Sequence, residues 1–322
     1  MDYRTHGILL ASIDTTDERF RISTCRDCQD LLESIAILGI IRPPLLLKTR
    51  VDGCIVVSGW RRIEACKQLG HFRMEARILP AETPAFECAK LAVAENSLQR
   101  PLNTLEQSHA FRILASHVND PEERFRLYRL LRLPHHPSMV AKIQTVCDFP
   151  ASIQALLLDG TIQLPIALAL AEMPGEDAIF FAGLFSDLKI GLNKQREILL
   201  NATEIAMRED IRIGEIFHEN PIRELIDAPD LDLPQKTEKI RSALRKRRFP
   251  NIAAAEEVFE NSVRELPLRN SIGLTPPRHF EGMTYTMELR FNDLEEFRER
   301  AERVTEMVDH PALKKILGNK NG

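Results

Sequence analysis

The stretch "VVSGWRRIEACKQLG" (residues 56–70) passes from an apolar strand pattern to a helical pattern. The apolar run ends at Gly59, and Arg61 and Arg62 follow almost at once. A glycine lets the backbone turn with no Cβ in the way, and the first N–H groups of a helix have no partner within it. Those groups attract anions, and neighbouring guanidinium groups add charge and donors. The junction is therefore predicted to cradle a phosphate group, although two solvated arginines at a helix start would explain the same pattern.

The segments around this junction alternate between short strands and short helices. Strand patterns occur at residues 7–13, 43–50, 54–59 and 74–79. Helical patterns occur at residues 28–39 and 62–70, and each ends at a glycine. The Asp-Gly pair at 52–53 is a hairpin turn signal. Together these features predict a compact α+β domain.

From residue 84 onward the pattern is mainly helical. Predicted helices cover residues 84–99, 104–118, 121–133, 137–149, 150–160 and 164–174. Thr104, with Gln107 three places later, is predicted to form a capping box. Short helices with tight connections are typical of a helix-turn-helix module followed by packing helices.

The rest of the chain predicts a mainly helical region with a small α/β element at its end. A helical stretch covers 176–210, and residues 219–235, with three prolines, predict an irregular connection. Residues 236–248 carry seven basic side chains and one acidic, which fits either a second DNA contact or a solvated helix face. A strand at 284–291 and an amphipathic helix at 294–308 outline a small dimerisation unit.

Composition limits the classes of protein that fit. The net charge is −4, so any nucleic-acid surface must be a local patch. No apolar run reaches the roughly 18–20 residues of a membrane span, and the first residues lack a signal-peptide pattern, so we expect a cytoplasmic protein with no membrane partner. Six cysteines are too few for a disulfide scaffold of this length. Cys25 and Cys28 have the spacing of half a zinc site, or are simply reduced thiols.

Four blocks carry a family resemblance. They are "LLESIAILGIIRPPLLLK" (31–48), "VVSGWRRIEACKQLG" (56–70), "AENSLQRPLNTLEQSHAF" (94–111) and "LPHHPSMVAKIQTVCDFPASIQALLLDGTIQL" (133–164). In their order and spacing they resemble the ParB family of chromosome- and plasmid-partition proteins, over about residues 10–172. The resemblance implies a ParB/sulfiredoxin-like α+β domain followed by a helix-turn-helix.

The resemblance also implies a division of the chain and a set of ligands. Residues 1–83 would form the nucleotide-binding domain, with its last motif extending to about residue 100. Residues 84–175 would bind DNA. Residues 176–322 lie beyond the resemblance, and from their own pattern we expect a mainly helical region with a role in dimerisation. In the better-known members the first domain binds CTP with Mg²⁺, and nucleotide state controls closure of a dimer around DNA. We therefore expect a nucleoid-associated homodimer that binds double-stranded DNA and works with a ParA-type ATPase.

Seven positions match the family's nucleotide motifs. They are Gly59, Trp60, Arg61, Arg62, Glu95, Asn96 and Arg100. Glu95 and Asn96 offer the hard oxygen ligands that Mg²⁺ prefers, or else a polar helix end. Arg100 is a phosphate partner whose register differs by one residue from the motif. Trp60 stands where the family usually has a glutamate implicated in hydrolysis; an indole is no general base, but it stacks on a base or fills a pocket.

The DNA-binding residues predicted from the helix-turn-helix are mostly basic or polar. They are Arg124, Arg126, Arg129, Arg132, His136, Ser138, Met139, Lys142 and Gln144. Arginine and lysine supply phosphate contacts, and residues near the start of the second helix reach base edges. Gln144 could pair with adenine and Lys142 with guanine or phosphate.

Three functions follow from these residues. The first is a ParB-like DNA-binding protein, in partition or transcriptional regulation, that binds CTP without efficient hydrolysis. The second is an active CTPase clamp, and the third is an interaction adaptor that has kept the fold and lost both ligands. Sulfiredoxin chemistry is disfavoured because Gly59 and Trp60 occupy the positions where that sister family needs its catalytic cysteine and the histidine after it.

Overall fold

The structure is a computed structural model that describes residues 5–49, 53–268 and 271–318. The chain divides into two compact units, of which the first ends at Leu192 and the second begins at Asn193. The domain boundaries proposed from the sequence, at 83/84 and 175/176, stay predictions.

A five-stranded mixed sheet forms the centre of the first unit. Its strands are β1 (Thr5–Leu9), β2 (Ile13–Asp14), β3 (Leu45–Lys48), β4 (Cys54–Ser58) and β5 (Arg73–Leu79). They lie in the order β1-β5-β3-β4-β2. β3 is antiparallel to β4 and parallel to β5, so the hairpin expected around the Asp-Gly pair is present, while Asp52 itself lies outside the described residues. β4 is buried along its whole length, as its apolar run indicates.

Helices pack on both faces of this sheet, and further helices follow them along the chain. In chain order the helices of this unit are α1 (Gln29–Leu38), α2 (Trp60–Gln68), α3 (Ala85–Ser97), α4 (Thr104–Ala115), α5 (Pro121–Leu130), α6 (Pro137–Gln144), α7 (Ala151–Leu158), α8 (Leu164–Ala171) and α9 (Gly175–Asp187). Val56 of β4 packs into one core with α1 and α2. Val57 packs into another that runs through α3, α4 and α5 to Val140 and Ile143 of α6. Successive residues of β4 point to opposite faces of the sheet, so Val56 and Val57 belong to different cores. The core that contains Val57 extends without interruption to α6.

Two details of the sequence prediction needed correction. α2 begins at Trp60 rather than at residue 62, because the Gly59 carbonyl accepts from the backbone N–H groups of Arg62 and Ile63. The capping box of α4 was predicted one residue too late. Asn103 is the N-cap, and its side chain and that of Glu106 make the two reciprocal bonds, in line with the preference for asparagine over threonine at this position.

The second unit consists of helices and a two-stranded antiparallel sheet. Its helices are α10 (Leu192–Glu209), α11 (Glu215–His218), α12 (Ile222–Asp227), α13 (Leu233–Arg248), α14 (Pro250–Glu265), α15 (Leu294–Met307) and α16 (Pro311–Gly318). The sheet pairs β6 (Ile272–Thr275) with β7 (Thr286–Leu289). The stretch 219–235 is less irregular than predicted, since it contains α12 and the start of α13. No helix within the described ranges is long and apolar enough to cross a membrane.

Candidate functional site

A cavity of about 290 Å³ lies beside the N-terminus of α2. The structure brings all seven residues predicted for nucleotide binding to its lining. They are Gly59, Trp60, Arg61, Arg62, Glu95, Asn96 and Arg100. The junction of β4 and α2 supplies the first four, and the end of α3 with the turn after it supplies the other three. The two segments meet because α3 packs against β4.

Gly59 is required where it stands. Its φ is +100°, in the left-handed region, and an added Cβ would lie 2.6 Å from the Cβ of Pro44. No side chain caps α2, and its first turn contains no acid. The helix therefore presents its positive end to the cavity without an internal counter-charge.

The two arginines of the junction have different surroundings. Arg61 donates to the Asp27 carbonyl and forms an ion pair with Asp30, so its charge is already balanced. Arg62 donates to the main-chain carbonyl of Arg42. Burial lowers the pKa of Arg62, with Arg77 and Arg42 acting in the same direction against the opposite effect of Glu95. A guanidinium held in such a position favours a bound anion that would restore its charge balance.

Trp60 belongs to the core more than to the cavity. It is 9% exposed and packs with α1 and the sheet. Its Nε1 is buried with no hydrogen-bond partner among the described residues, and the Arg21 guanidinium lies 5.1 Å from its ring centroid. Of the two roles predicted for Trp60, this burial favours filling a pocket over stacking on a base.

Glu95 and Asn96 do not fit the magnesium role that the resemblance implies. The Glu95 carboxylate forms a salt bridge with Arg77 at 2.9 Å, and the Asn96 amide nitrogen donates to the Ala92 carbonyl at 2.8 Å. A dication bound at Glu95 would compete with Arg77 and would experience repulsion from the half-buried Arg62, which interacts electrostatically with Glu95. This arrangement neutralises the one carboxylate in the lining, so no step is assigned to Mg²⁺ here.

Arg100 lines the cavity while it holds a buried carboxylate. Its two terminal nitrogens donate to the two oxygens of Glu106 at 2.6 and 2.7 Å. Glu106 is 1% exposed and also accepts from the backbone of Asn103 and Thr24. Burial acts to raise the pKa of Glu106, but these bonds outweigh it and hold that pKa below its usual range. In this arrangement Arg100 stabilises the start of α4.

Arg42 was missed by the sequence analysis. Its side chain is exposed, lines the cavity and makes no hydrogen bond or ion pair with any described residue. It directly precedes Pro43 and Pro44, and Pro44 is the residue that crowds Gly59. The sequence does place Arg42 beside the prolines of the first family block. It lies 17 positions from Gly59, however, so local patterns do not connect the two residues.

The residues predicted for DNA binding lie on α5, on α6 and in the turn between them. Val140 and Ile143 of α6 are buried against the core, so the other side of α6 carries Ser138, Met139 and Lys142 to the surface. Tyr128 anchors α5 by packing 4.7 Å from Phe111 of α4, measured between ring centroids.

Four of the predicted basic residues share one property. Arg126, Arg129, Arg132 and Lys142 are exposed, and their side chains have no hydrogen bond or ion pair within the part of the chain that the structure describes. Arg132 adopts φ +55° in the turn.

The remaining predicted DNA contacts have other environments. Arg124 donates to the carbonyls of Val118 and Asn119 and so braces the start of α5. His136 contacts the Ser138 hydroxyl at 3.0 Å. Gln144 is half-buried and is the last residue of α6, away from the helix start where base contacts are expected.

The basic run 236–248 is largely neutralised within the second unit. Arg241 pairs with Glu197 and Glu238, Arg245 with Glu256, Arg247 with Glu209 and Glu219, and Arg248 with Glu204. These ion pairs support α13 as a structural helix rather than as a second DNA contact.

The cysteine pair has no further ligands near it. Cys25 is exposed and Cys28 is buried, and no group of three or more His, Cys, Asp or Glu side chains within residues 5–49, 53–268 and 271–318 could hold a metal ion.

Comparison with known proteins gives matches among solved structures only. No protein-family model and no curated protein matches the sequence. The solved structures that match include ParB proteins. The truncated ParB of Caulobacter crescentus complexed to the parS site is 17% identical, with 59% of this chain and 96% of that chain covered and a TM-score of 0.35.

Two further matches have similarly low sequence identities and TM-scores. The Caulobacter crescentus ParB complexed with CTP-gamma-S is 20% identical, covering 56% of this chain and 98% of that one, with a TM-score of 0.26. The pNOB8-like ParB N-domain is 15% identical, covering 76% and 97%, with a TM-score of 0.40. Matches with such low identities and TM-scores assign no role to individual residues of this chain.

Proposed function

We propose that the chain is a divergent ParB-like protein that binds double-stranded DNA through α5 and α6. The observation that carries this proposal is a set of four exposed cations that have no partner among the described residues, Arg126, Arg129, Arg132 and Lys142. On a chain of net charge −4 whose other basic run is paired internally, such a cluster is the local patch that duplex DNA requires.

In this proposal α5 and α6 form the helix-turn-helix. α6 would enter the major groove with Ser138 and Met139 nearest the base edges, while the arginines of α5 and the turn contact phosphates. Lys142, one turn further along α6, reaches either a guanine or a phosphate. Burial of Val140 and Ile143 fixes the orientation of α6, so its reading face is preformed.

The cavity beside α2 would bind the phosphates of a nucleotide, for which CTP is the candidate. Gly59, Arg62 and the first N–H groups of α2 supply the anion cradle. The first residue of α2 is Trp60, which has no carboxylate to act as a general base. We therefore expect CTP to bind without efficient hydrolysis. The homodimer, the ParA-type ATPase partner, the nucleoid location and the choice between partition and transcriptional regulation belong to the same proposal.

Salt-dependent retention of duplex DNA tests the DNA-binding part. Purified protein should shift a mixed-sequence duplex, with an affinity that falls steeply as salt rises from about 50 to 200 mM because counterions are released. The double variant Arg126→Ala/Arg129→Ala should weaken binding and reduce the salt slope by about 2. Arg223→Ala, which removes an exposed arginine of the second unit, is the matched control. Equal retention by the double variant and the wild type would refute the assignment of this surface.

A second candidate function is an interaction adaptor that has lost the nucleotide. It is favoured by the pairing of Arg61 with Asp30, of Glu95 with Arg77 and of Arg100 with Glu106, since each bond uses a group that a nucleotide would otherwise contact. Analytical ultracentrifugation with and without CTP and DNA separates the two. An unchanged sedimentation profile under every condition favours the adaptor, and a shift with either ligand excludes it.

A further inference from the structure

The charges of the cavity lining leave two arginines without a carboxylate. Arg61 and Arg100 are paired with acids outside the lining, and Glu95 is paired with Arg77. Among the described residues no acid lies within ion-pair distance of Arg42 or Arg62. The cavity therefore has two uncompensated guanidinium groups and no uncompensated carboxylate.

The charges of this lining differ from those that a bound metal–nucleotide complex needs. Mg²⁺ is held by one or two carboxylates together with the phosphates of its nucleotide. The only lining carboxylate already accepts from Arg77 at 2.9 Å. Burial, the largest effect, lowers the pKa of the half-buried Arg62, Glu95 opposes this, and Arg77 and Arg42 add to it. Another cation in this group would add to the repulsion, whereas a polyphosphate anion relieves it.

We propose that this cavity binds a polyphosphate anion directly through Arg42 and Arg62, without a divalent metal. Arg42 is the specificity-determining residue, because its exposed side chain is free to fold over the anion while Arg62 and the α2 N-terminus hold it from below. The inference rests on the proposed nucleotide function and states the chemistry of its ligand, which is the triphosphate rather than a metal–triphosphate complex.

Intrinsic fluorescence provides the measurement. Trp60 is the only tryptophan and lines the cavity, so titration with CTP and with inorganic tripolyphosphate reports directly on the site. In EDTA both are expected to bind, and added Mg²⁺ should leave the CTP affinity unchanged or weaken it, because the metal cancels part of the phosphate charge. Inorganic tripolyphosphate distinguishes phosphate recognition from recognition of the base.

Two variants distinguish metal-independent binding from magnesium-dependent binding by their effects on affinity. Arg42→Gln should weaken binding in EDTA by about tenfold, the loss expected for one charge-assisted contact. Glu95→Gln keeps the shape of the side chain and should bind as tightly as the wild type or tighter, whereas a magnesium ligand at Glu95 would make the same change strongly damaging. Arg223→Gln is the surface control, and circular dichroism verifies that each variant is folded.

Each outcome decides one of the proposals. Binding of CTP only when Mg²⁺ is present, or its loss in Glu95→Gln, overturns the metal-independent site and leaves the nucleotide function standing. Unchanged affinity in Arg42→Gln removes Arg42 from the site and overturns the inference as well. Binding of neither probe under any condition refutes the nucleotide function itself, and with it this inference.

Discussion

Replacing Arg100 with methionine should destabilise the first unit in a pH-dependent way. Glu106 is 1% exposed and its carboxylate receives two bonds from Arg100, at 2.6 and 2.7 Å. Breaking a buried ion pair by removing one partner costs about 3–5 kcal/mol. The Arg100 side chain is 46% exposed, so solvent screens part of the pair and we expect a loss of about 2–3 kcal/mol at neutral pH.

The sign of the pH dependence follows from Glu106. In the wild type its pKa lies below the usual value, so its stabilising contribution is present above the ordinary glutamate pKa and is lost as pH falls through the lower native value. Without Arg100 the effect of burial should dominate and raise that pKa. The ionised carboxylate then destabilises the variant, so the difference between the two proteins should be large at about pH 7 and shrink toward about pH 4.

Urea unfolding followed by tryptophan fluorescence measures this difference. Trp60 is the only tryptophan and lies in the first unit, so the signal is expected to report that unit alone. In a Glu106→Gln background, Arg100→Met should cost less than about 1 kcal/mol, which gives a coupling energy of about 1–3 kcal/mol in the double-mutant cycle. Additive effects of the two substitutions, or an equal loss at both pH values, would refute the ion-pair explanation.

Three further outcomes are expected. Gly59→Ala should cost about 2–4 kcal/mol, from the left-handed backbone and the 2.6 Å approach of its Cβ to Pro44, and should abolish tripolyphosphate binding; retained binding at wild-type stability would contradict the cradle. Lys142→Ala should weaken DNA retention and lower the salt slope by about 1, and an unchanged slope would exclude a phosphate contact. Arg247→Gln, which breaks the pair with Glu209 at 2.6 Å, should lower the melting temperature of the second unit without altering DNA retention, whereas weaker retention would revive α13 as a DNA contact.

The sequence was most informative where short-range geometry determines the structure. A strand, a turn at Gly59 and a short helix were predicted in this order, although the helix begins two residues earlier than expected, because an apolar strand and a helix leave local signatures. The seven predicted nucleotide residues also meet in one cavity. Their identification depended on the family blocks, since nothing local to α3 indicates that Glu95 and Arg62 line the same cavity.

Sequence patterns failed where the partner of a charge is distant in the chain. The arginines of α13 predicted a basic face, yet Arg241, Arg247 and Arg248 pair with glutamates of α10 that lie 38–44 positions earlier. The same difficulty hid the pairing of Glu95 with Arg77, 18 positions away. A run of charge in a sequence gives the number of cations but not how many of them are already neutralised, and only the second quantity predicts a binding surface.

Trp60 and the pairing of Glu95 both reduce the negative charge of the cavity lining. The family that the chain resembles usually has a glutamate at the position of Trp60, and here a buried indole stands in its place. The carboxylate that remains in the lining, Glu95, is neutralised by Arg77. Both features remove negative charge from around the phosphate site, while Arg42 and Arg62 leave positive charge uncompensated. In the proposed function, weak hydrolysis and metal-independent binding are both expected from this loss of negative charge. A Trp60→Glu variant is therefore expected to show neither hydrolysis nor a metal requirement unless Arg77→Met also releases Glu95.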